Sequence, residues 1–556
     1  MNKIRILPQG LRNRIAAGEV IERPASVVKE LIENSIDAQA KRVEILIEGG
    51  GKRLIVVSDD GIGIPSDELH LAVEPHATSK IESEEDLFNI RTRGFRGEAL
   101  ASIASVSRLR ITSQTEGEAV GRSIYMEGGR LLEDTPSPHR GTTVEVKDLF
   151  FNTPARRKFL KSDRTEIRHI IDTVTETALS EYNRGFRLSV NNTETLHCPQ
   201  AGNLRERLLQ VYGEEFISGL HLIELPHLQA FFSREDNFRI NRSHQYIFIN
   251  GRPIRDASLR HAVYSAYERI LPHDRHPIFF LFLQVPPSSV DFNVHPAKRE
   301  VRFSDKEGVY RMVRDSLREV LLPSSHEHVK PLTPTTSTAI KTGAGVFGDY
   351  QKDPPSAPPS MIEEPVSGYG HIEHIYLGDV FLAYSDGEGL TLLDHHAAHE
   401  RVIYEKLLKG MDIGRAEFLF PRQITLSPSD YTTIIQNIPT LEAVGFSVED
   451  FGSNSVLVRS IPAFVSEDAL QGILEDLAES IRDISANSPV EELRKRLAMT
   501  IACHRSVRGK KRLTGDELRA LLEDMEKLDD PEHCPHGRPT RLRIGIDELK
   551  RMFKRT

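Results

Sequence analysis

The chain has 556 residues, of which 39% are hydrophobic and 28% charged. This length predicts roughly two to four domains, and the composition excludes fibrous, collagenous and wholly disordered proteins. The longest strongly apolar run, Ile278 to Val285, is far shorter than the roughly 20 residues that span a bilayer. The start of the chain, MNKIRILPQG, has no apolar stretch behind its charges. We therefore expect a cytoplasmic protein with no export signal and no membrane partner.

Cysteine usage and charge narrow the class further. The three cysteines, Cys198, Cys503 and Cys534, are too few and too far apart for a disulfide framework, which suits a reducing compartment. A net charge of -9 argues against a protein that coats nucleic acid over its whole surface. Only the middle third is net positive, with 26 basic and 22 acidic residues between 151 and 330. The expected DNA backbone contact, unless it is simply a solvated charged face, is the cluster Arg156, Arg157, Lys158, Lys161 and Arg164.

Hydrophobic patterning predicts an α/β or α+β order before residue 323. The predicted elements are a helix at 25–37, strands at 43–48 and 54–58, a helix at 162–181, strands at 246–249 and 278–284, and a helix at 306–321. The pattern restarts after about residue 151, so we expect a subdomain boundary near 155.

A linker is predicted between residues 323 and 370, where hydrophobic periodicity stops. Seven prolines lie between Pro331 and Pro365, and such a composition cannot bury enough apolar surface to offset its ordering entropy. At this length it would span roughly 35–40 Å and let two folded parts move relative to each other. Beyond it we expect strands at 375–384 and 390–393 and a helix at 397–408.

The usual phosphate-loop and dinucleotide motifs are absent from the sequence. In the first helix, however, Glu30, Asn34 and Asp37 share the side opposite an apolar stripe. A carboxylate and an amide oxygen one turn apart can hold a water and a divalent ion, although such polar faces are usually only solvated. The strand LIVVS then runs into Asp59-Asp60-Gly61-Ile62-Gly63, where glycines allow close approach of a ligand. A glycine-flanked turn at 94–97 opens a helix whose free N–H groups suit phosphates.

These elements resemble, in order and spacing, the GHL ATPases, the group of gyrase-type topoisomerases, Hsp90 chaperones and MutL mismatch-repair proteins. The segments HATSKI, TRGFRGEALASI, GTTVEVKDLFFNTPARRKFL and VDFNVHPAKREVRF resemble MutL specifically, and the likeness covers residues 1–322. It implies a mixed α+β fold: a GHL (Bergerat-type) ATPase α/β sandwich at 1–155, a transducer (ribosomal S5-like) subdomain at 156–322, the linker at 323–370, and a C-terminal α/β dimerisation and nuclease domain at 371–556.

The resemblance also implies roles for single residues, with ATP and Mg²⁺ as cofactors. Glu30 would be the general base, Asn34 would carry Mg²⁺, and Asp59 would read the adenine amine. Lys298 would reach across from the second subdomain to the γ-phosphate. The remaining nucleotide contacts implied are Gly61, Gly63, Thr78, Lys80, Gly94, Phe95, Arg96, Gly97 and, in the strand entry after Gly141, Thr143.

A second candidate site follows the linker. Within Asp394-His395-His396-Ala397-Ala398-His399-Glu400, His396 and Glu400 would lie one helical turn apart, a spacing that can seat a metal but is more often solvated. Cys503-His504 and Cys534-Pro535-His536 add thiolates beside imidazoles, which are plausible Zn²⁺ ligands.

This set resembles the C-terminal domain of those MutL proteins that nick DNA. By that resemblance Asp394 and Glu400 bind catalytic ions, and His396, Glu400, Cys534 and His536, with Cys503 close by, hold Mn²⁺ or Zn²⁺. One departure is His395, where the family usually has glutamine.

The expected partners are DNA, a second copy of the chain, and a MutS-type mismatch recognition protein. A sliding-clamp motif is degenerate, because the segment Ala416 to Pro421 lacks the usual glutamine. Two alternatives stay open. One is an ATP-gated matchmaker whose metal cluster is only structural. The other is a chaperone or topoisomerase relative, and the argument against it is that no motif after the linker matches the C-terminal domains of those proteins.

Overall fold

The computed structural model describes residues 21–80, 92–94, 97–322 and 373–555, apart from gaps at 236, 273–274, 292–300, 379, 386, 410–413, 464, 468–469, 484–489 and 507–511. The expected linker therefore lies outside the described residues, as do Phe95, Arg96 and Lys298. No helix within the described ranges is long and apolar enough to cross a membrane.

Helix α1 (Pro24–Asp37) carries the first candidate residues and is anchored by its apolar side. Pro24 stands at the first helical position, where its fixed φ favours helix initiation, and Val28, Leu31 and Ile32 are buried. Each such side chain contributes about 1.5–3 kcal/mol when fully buried. The packing of this stripe fixes which way the opposite, polar side points.

An eight-stranded sheet supports this helix. Its strands are β1 (Arg42–Glu48), β2 (Leu54–Asp59), β3 (Arg108–Gln114), β4 (Gly121–Glu127), β5 (Arg130–Ser137), β6 (Gly141–Lys147), β7 (Gly185–Val190) and β8 (Thr193–Cys198). The order is β5-β4-β3-β6-β2-β1-β7-β8, antiparallel except between β1 and β7. The helices of this layer are α1, α2 (Ala99–Val106), α3 (Pro154–Phe159), α4 (Asp163–Ser180) and α5 (Leu204–Ser218). Helices α1, α2, α4 and α5 contact the sheet, which makes an α/β sandwich.

The first layer continues beyond residue 155, where the sequence pattern suggested a new subdomain. Strand β7 pairs in parallel with β1, and the apolar core of the layer runs on to Phe216 and Leu220. The reason is the crossover: α4 packs against α1 and returns the chain to the same sheet. The structural change of layer falls after α5.

The second layer is a five-stranded sheet in the order β13-β12-β15-β10-β9. The elements of this region are β9 (Leu220–Leu225), β10 (Leu228–Ser233), β11 (Phe238–Arg239), β12 (Gln245–Ile249), β13 (Arg252–Ile254), α6 (Ala257–Ala266), β14 (His276–Pro277), β15 (Phe279–Leu283), β16 (Val290–Asp291), β17 (Arg302–Phe303) and α7 (Lys306–Leu321). Helices α6 and α7 pack on each other and share an apolar core with the sheet.

The C-terminal part has two smaller sheets, β18-β19-β20-β24 and β21-β23-β22. Its elements are β18 (His374–Leu377), β19 (Phe381–Ser385), β20 (Gly389–Asp394), α8 (His395–Leu408), β21 (Arg415–Thr425), α9 (Pro428–Ile435), α10 (Ile438–Ala443), β22 (Ser447–Gly452), β23 (Ser455–Pro462), α11 (Leu470–Asp483), α12 (Val490–Ser506), α13 (Gly515–Glu526), β24 (Arg541–Gly545) and α14 (Ile546–Met552). The single strand expected at 375–384 is two antiparallel strands, because the chain reverses at Gly378, whose φ is +75°.

Candidate functional site

A cavity of about 1960 Å³ runs from the polar side of α1 to the residues around His244 and Asp430. It also borders the end of β2 and the segment before α2, so residues far apart in sequence meet there. The predicted nucleotide residues that line it are Glu30, Asn34, Asp59, Gly63, Thr78, Lys80, Gly94 and Gly97.

Asp59 ends strand β2 and faces the cavity with a fixed carboxylate. The Ser35 hydroxyl donates to Oδ2 at 2.7 Å, and the Gly61 N–H donates to Oδ1 at 2.9 Å. Burial raises the pKa of the Asp59 carboxyl, while these two donors oppose that shift. The arrangement holds an oriented hydrogen-bond acceptor against the cavity wall. The sequence analysis did not predict a role for Ser35. A serine on the buried side of α1 is nevertheless a signal, because a buried hydroxyl needs a hydrogen-bond partner.

Two glycines are required by close backbone contacts. Gly63 has φ of +78°, and a Cβ there would lie 2.3 Å from the Gln114 carbonyl oxygen. Gly97 has φ of +63°, and a Cβ there would lie 2.4 Å from the Ala77 carbonyl oxygen. Any side chain would therefore displace the backbone that shapes the cavity.

Strand β6 contributes Thr142 to the cavity in place of the predicted Thr143. Thr142 pairs with Asp59 across the sheet, whereas the Thr143 hydroxyl bonds to Ser58 Oγ at 2.9 Å and to His139. Neighbouring strand residues point to opposite faces, so a shift of one position changes the side of the sheet. Counting alternate residues along the strand from Gly141 could have predicted which of the two threonines faces the cavity.

Lys80 connects the next segment to α1. Its ammonium group donates to Asn34 Oδ1 at 2.9 Å, so a positive charge already lies beside the amide oxygen predicted to hold a cation. Glu30 lines the cavity one turn earlier on the helix and is half-buried. A carboxylate, an amide oxygen and an ammonium group thus face one space, a set suited to a metal-bound polyphosphate and an attacking water.

The C-terminal part brings together three potential metal ligands. One ligand atom each from Glu400, Cys534 and His536 lies within 4.8 Å of the others, and His536 Nδ1 is 3.6 Å from Glu400 Oε2. Cys534 is buried, and a tight turn in which the Gly537 N–H donates to its carbonyl oxygen carries it beside His536. A thiolate, an imidazole and a carboxylate form a donor set that Zn²⁺ accepts.

Two other predicted ligands, Asp394 and His396, are not members of this group among the described side chains. The Asp394 carboxylate caps α8, accepting from the backbone N–H groups of His396 and Ala397 at 3.0 Å each. Cys503 lies in α12, and its side chain is outside the described ones. The unusual His395 is buried against Tyr376.

Glu405 anchors the loop that leads to Cys534 and does not itself occupy a ligand position. It is buried, pairs with Arg401 and Lys409, and accepts from the backbone N–H groups of Asp529 and Asp530. Although burial raises the pKa of the Glu405 carboxyl, these donors outweigh it and lower the pKa to about 2. Helix α8 is thereby tied to the loop that leads to Cys534.

Comparison with known proteins decides the family. The chain is 40% identical over its whole length to a DNA mismatch repair protein MutL from Thermodesulfovibrio yellowstonii, and all of that protein is covered. The chain belongs to the MutL family. A MutL from Koribacter versatilis is 36% identical, again with both chains fully covered. The Aquifex aeolicus MutL ATPase domain complexed with ADP is 34% identical, covering 48% of this chain and 94% of that one, with a TM-score of 0.38.

Three family models match separate parts of this MutL chain. Residues 21–128 match a histidine kinase-, DNA gyrase B- and HSP90-like ATPase. Residues 208–322 match a DNA mismatch repair protein, C-terminal domain, and residues 375–513 match a MutL C-terminal dimerisation domain. The predicted family and mixed α/β architecture with an N-terminal ATPase domain are confirmed.

Proposed function

We propose that the chain is a DNA mismatch repair protein that binds and hydrolyses ATP, and that it nicks DNA at a metal site in its C-terminal part. The observation that carries the first half is the cavity that gathers Glu30, Asn34 and Asp59 within an ATPase domain of the MutL family. The three-ligand group of Glu400, Cys534 and His536 supports the second half.

In the proposed ATPase step, Glu30 accepts the proton of a water whose oxygen attacks the γ-phosphorus, while the bond from that phosphorus to the β–γ bridging oxygen breaks and ADP leaves. Asn34 would hold Mg²⁺ through its amide oxygen. Mg²⁺ neutralises phosphate charge when it is bound. Asp59 accepts a hydrogen bond from the adenine amine, for which Ser35 and Gly61 keep its carboxylate oriented. Lys80 supplies positive charge to the phosphates. Phe95, Arg96 and Lys298 would complete the site and lie outside the described residues.

The ATPase proposal is tested by comparing nucleotide binding with hydrolysis. Glu30→Ala should retain ATP while turnover falls at least about a hundredfold, because the base is lost and the binding contacts remain. Asn34→Ala should lose Mg²⁺-dependent binding as well. Equal turnover in Glu30→Ala and the unmutated protein would reject Glu30 as the base.

For the nuclease, Glu400, Cys534 and His536 would hold Zn²⁺ or Mn²⁺, and Asp394 would contribute from the start of the same helix as Glu400. The metal would supply an activated water and neutralise the leaving oxygen. The described structure offers Asp394 as the helix cap, so its carboxylate is already held in place. The competing proposal is a matchmaker without nuclease activity whose metal cluster is structural. Cys534→Ser distinguishes them, since a structural cluster predicts unfolding and a catalytic one a folded, inactive protein.

DNA contact is proposed for the basic helix α3 and the residues after it. Arg157, Lys158, Lys161 and Arg164 are exposed there. Charge of this kind binds the phosphate backbone without reading sequence, which suits repair at any site.

Partner contacts complete the proposal. A homodimer would form through the C-terminal dimerisation domain, and a MutS-type protein would deliver the mismatch. Leu419 and Phe420 are 89% and 76% exposed because the pairing of β21 with β23 is interrupted between Glu417 and Arg422. These exposed apolar side chains support sliding-clamp binding despite the missing glutamine.

A further inference from the structure

Asp37, the last residue of α1, gathers two separate chain segments. Its Oδ2 accepts from Lys80 Nζ at 2.6 Å and from the Gly94 N–H at 3.0 Å, and its Oδ1 accepts from the Arg93 N–H at 2.8 Å. The side chain is only 7% exposed. Charge-assisted bonds of this kind are stronger than neutral ones, so the carboxylate fixes all three donors.

The Lys80 ammonium group is shared between Asp37 and Asn34. It lies 2.6 Å from the carboxylate and 2.9 Å from the amide oxygen. A cation bound to the Asn34 oxygen would repel an ammonium group so close to it. Asp37 provides the second acceptor on which Lys80 can stay when that happens.

Gly94 lies directly over the side chains of Asp37, Lys80 and Asn34. A Cβ at this position would lie 3.4 Å from Lys80 Nζ and 3.7 Å from Asn34 Oδ1. The backbone of residue 94 therefore rests directly on the charged groups, and its N–H is aimed at Asp37. The height of this turn over α1 depends on the Asp37 carboxylate.

The same turn is held from the second layer and from the end of α4. The Arg252 guanidinium, on β13, donates to the Thr92 carbonyl oxygen at 2.6 Å, and Arg93 pairs with Glu181 just after α4. Burial lowers the pKa of Arg252, although nearby Glu33 and Asp37 oppose that shift. Residues 92–94 are thus fixed between the ATPase layer and the second layer.

We propose that Asp37 is a positioning residue for ATP hydrolysis, which sets Lys80 and the backbone at 93–94 for the phosphates and keeps Lys80 when Mg²⁺ occupies Asn34. This inference rests on the proposed ATPase function. Asp37 acts through Lys80 and the backbone at 93–94, and does not itself touch the nucleotide.

The test is a double-mutant cycle on the full-length protein. Asp37→Asn removes the charge at nearly constant size, so we expect kcat to fall roughly tenfold and the Mg²⁺ concentration for half-maximal rate to rise. In a Lys80→Met background the same change should cost less than about threefold, because the part of the loss that runs through Lys80 is already gone and only the effect on the backbone at 93–94 remains. A merely structural Asp37 would leave the Mg²⁺ dependence unchanged and give independent, multiplying losses, which would overturn the proposal.

The matched control is Glu118→Gln. Glu118 also accepts two backbone N–H bonds, from Ser66 and Thr115 at 2.8 and 3.1 Å, but it does not line the cavity. Its kcat and Mg²⁺ dependence should match those of the unmutated protein. If Asp37→Asn does not fold, Asp37→Glu replaces it in the test. The displaced carboxylate should lower kcat severalfold, and unchanged kinetics would overturn the proposal. Failure of the ATPase proposal itself is distinct, because the unmutated protein would then show no hydrolysis.

Discussion

The guanidinium of Arg239 lies 2.5 Å from the carboxylate of Glu475, although 236 residues separate them in the sequence. Both side chains are buried, at 7% and 2% exposure. Asn241 reaches Asp476 at 3.2 Å nearby, and His244 Nε2 lies 3.7 Å from Asp430 Oδ2. Helices α9 and α11 of the C-terminal part thus rest on the second layer through a buried polar contact. Burial raises the pKa of Glu475 to about 7, although Arg239 opposes that shift.

Breaking this pair should separate the N- and C-terminal parts. Arg239→Met leaves the buried Glu475 carboxyl without its partner, so the carboxyl takes up a proton at neutral pH and the ionic contact between the two parts is lost. Small-angle scattering should show a larger radius of gyration, while removal of both charges in Arg239→Met with Glu475→Met should restore compaction. The exposed pair of Arg459 and Glu449 provides the control, because Arg459→Gln should change nothing. An unchanged radius in Arg239→Met would contradict the contact.

The lowered pKa of Glu405 predicts a pH-dependent stability. Its folded pKa of about 2 lies below the ordinary value of 4.5, so the stabilisation is full above about pH 5 and is lost as the pH falls toward 2. At pH 7, Glu405→Gln should lower the free energy of unfolding by roughly 3 kcal/mol. Calorimetry at pH 7 and pH 3 should show the difference from the unmutated protein shrinking by more than half, with exposed Glu442→Gln as control. A difference independent of pH would refute the ionic role.

Metal content should depend on Cys534. Replacing its thiol in Cys534→Ser removes the strongest Zn²⁺ ligand of the three-residue group, so bound zinc measured by mass spectrometry after gel filtration should fall at least tenfold. Cys198→Ser changes a buried thiol in β8 instead and should retain the metal. Equal zinc in both variants would remove Cys534 from the site.

Clamp binding should depend on the exposed side chains of the β21 bulge. The double variant Leu419→Ala and Phe420→Ala removes apolar contact area without touching the core, so the Kd for a sliding clamp should rise at least tenfold while Tm stays constant. Phe451→Ala, also at an exposed aromatic residue, should bind as the unmutated protein does. Equal affinity of the unmutated protein, the double variant and Phe451→Ala would exclude this surface as the clamp-binding site.

Local patterns predicted much of the fold. Helix α7 was expected at 306–321 and occurs there, because Asp305 caps it and Val313, Leu317 and Leu321 repeat at helical spacing. The sequence pattern also located α1 and β2, and with them Glu30, Asn34 and Asp59. Glu30 and Asn34 lie one helical turn apart, and Asp59 ends strand β2, so short-range rules suffice.

Long-range geometry limited the rest. The pairing of β7 with β1 moved the change of layer well past residue 155, and no local signal marks it. The one-residue difference between Thr142 and Thr143 decides which hydroxyl faces the cavity. Glu400 and Cys534 meet through long-range contacts such as the one by which Glu405 ties α8 to the loop at 529–530. The buried contact of Arg239 with Glu475 likewise depends on tertiary packing.

Nicking of supercoiled plasmid in Mn²⁺ tests the proposed nuclease most directly. Purified full-length protein should convert supercoiled plasmid to relaxed circles, Asp394→Asn should reduce the rate at least about a hundredfold, and Glu442→Gln should not. No nicking by folded protein that still hydrolyses ATP, or equal nicking by Asp394→Asn, would contradict the account.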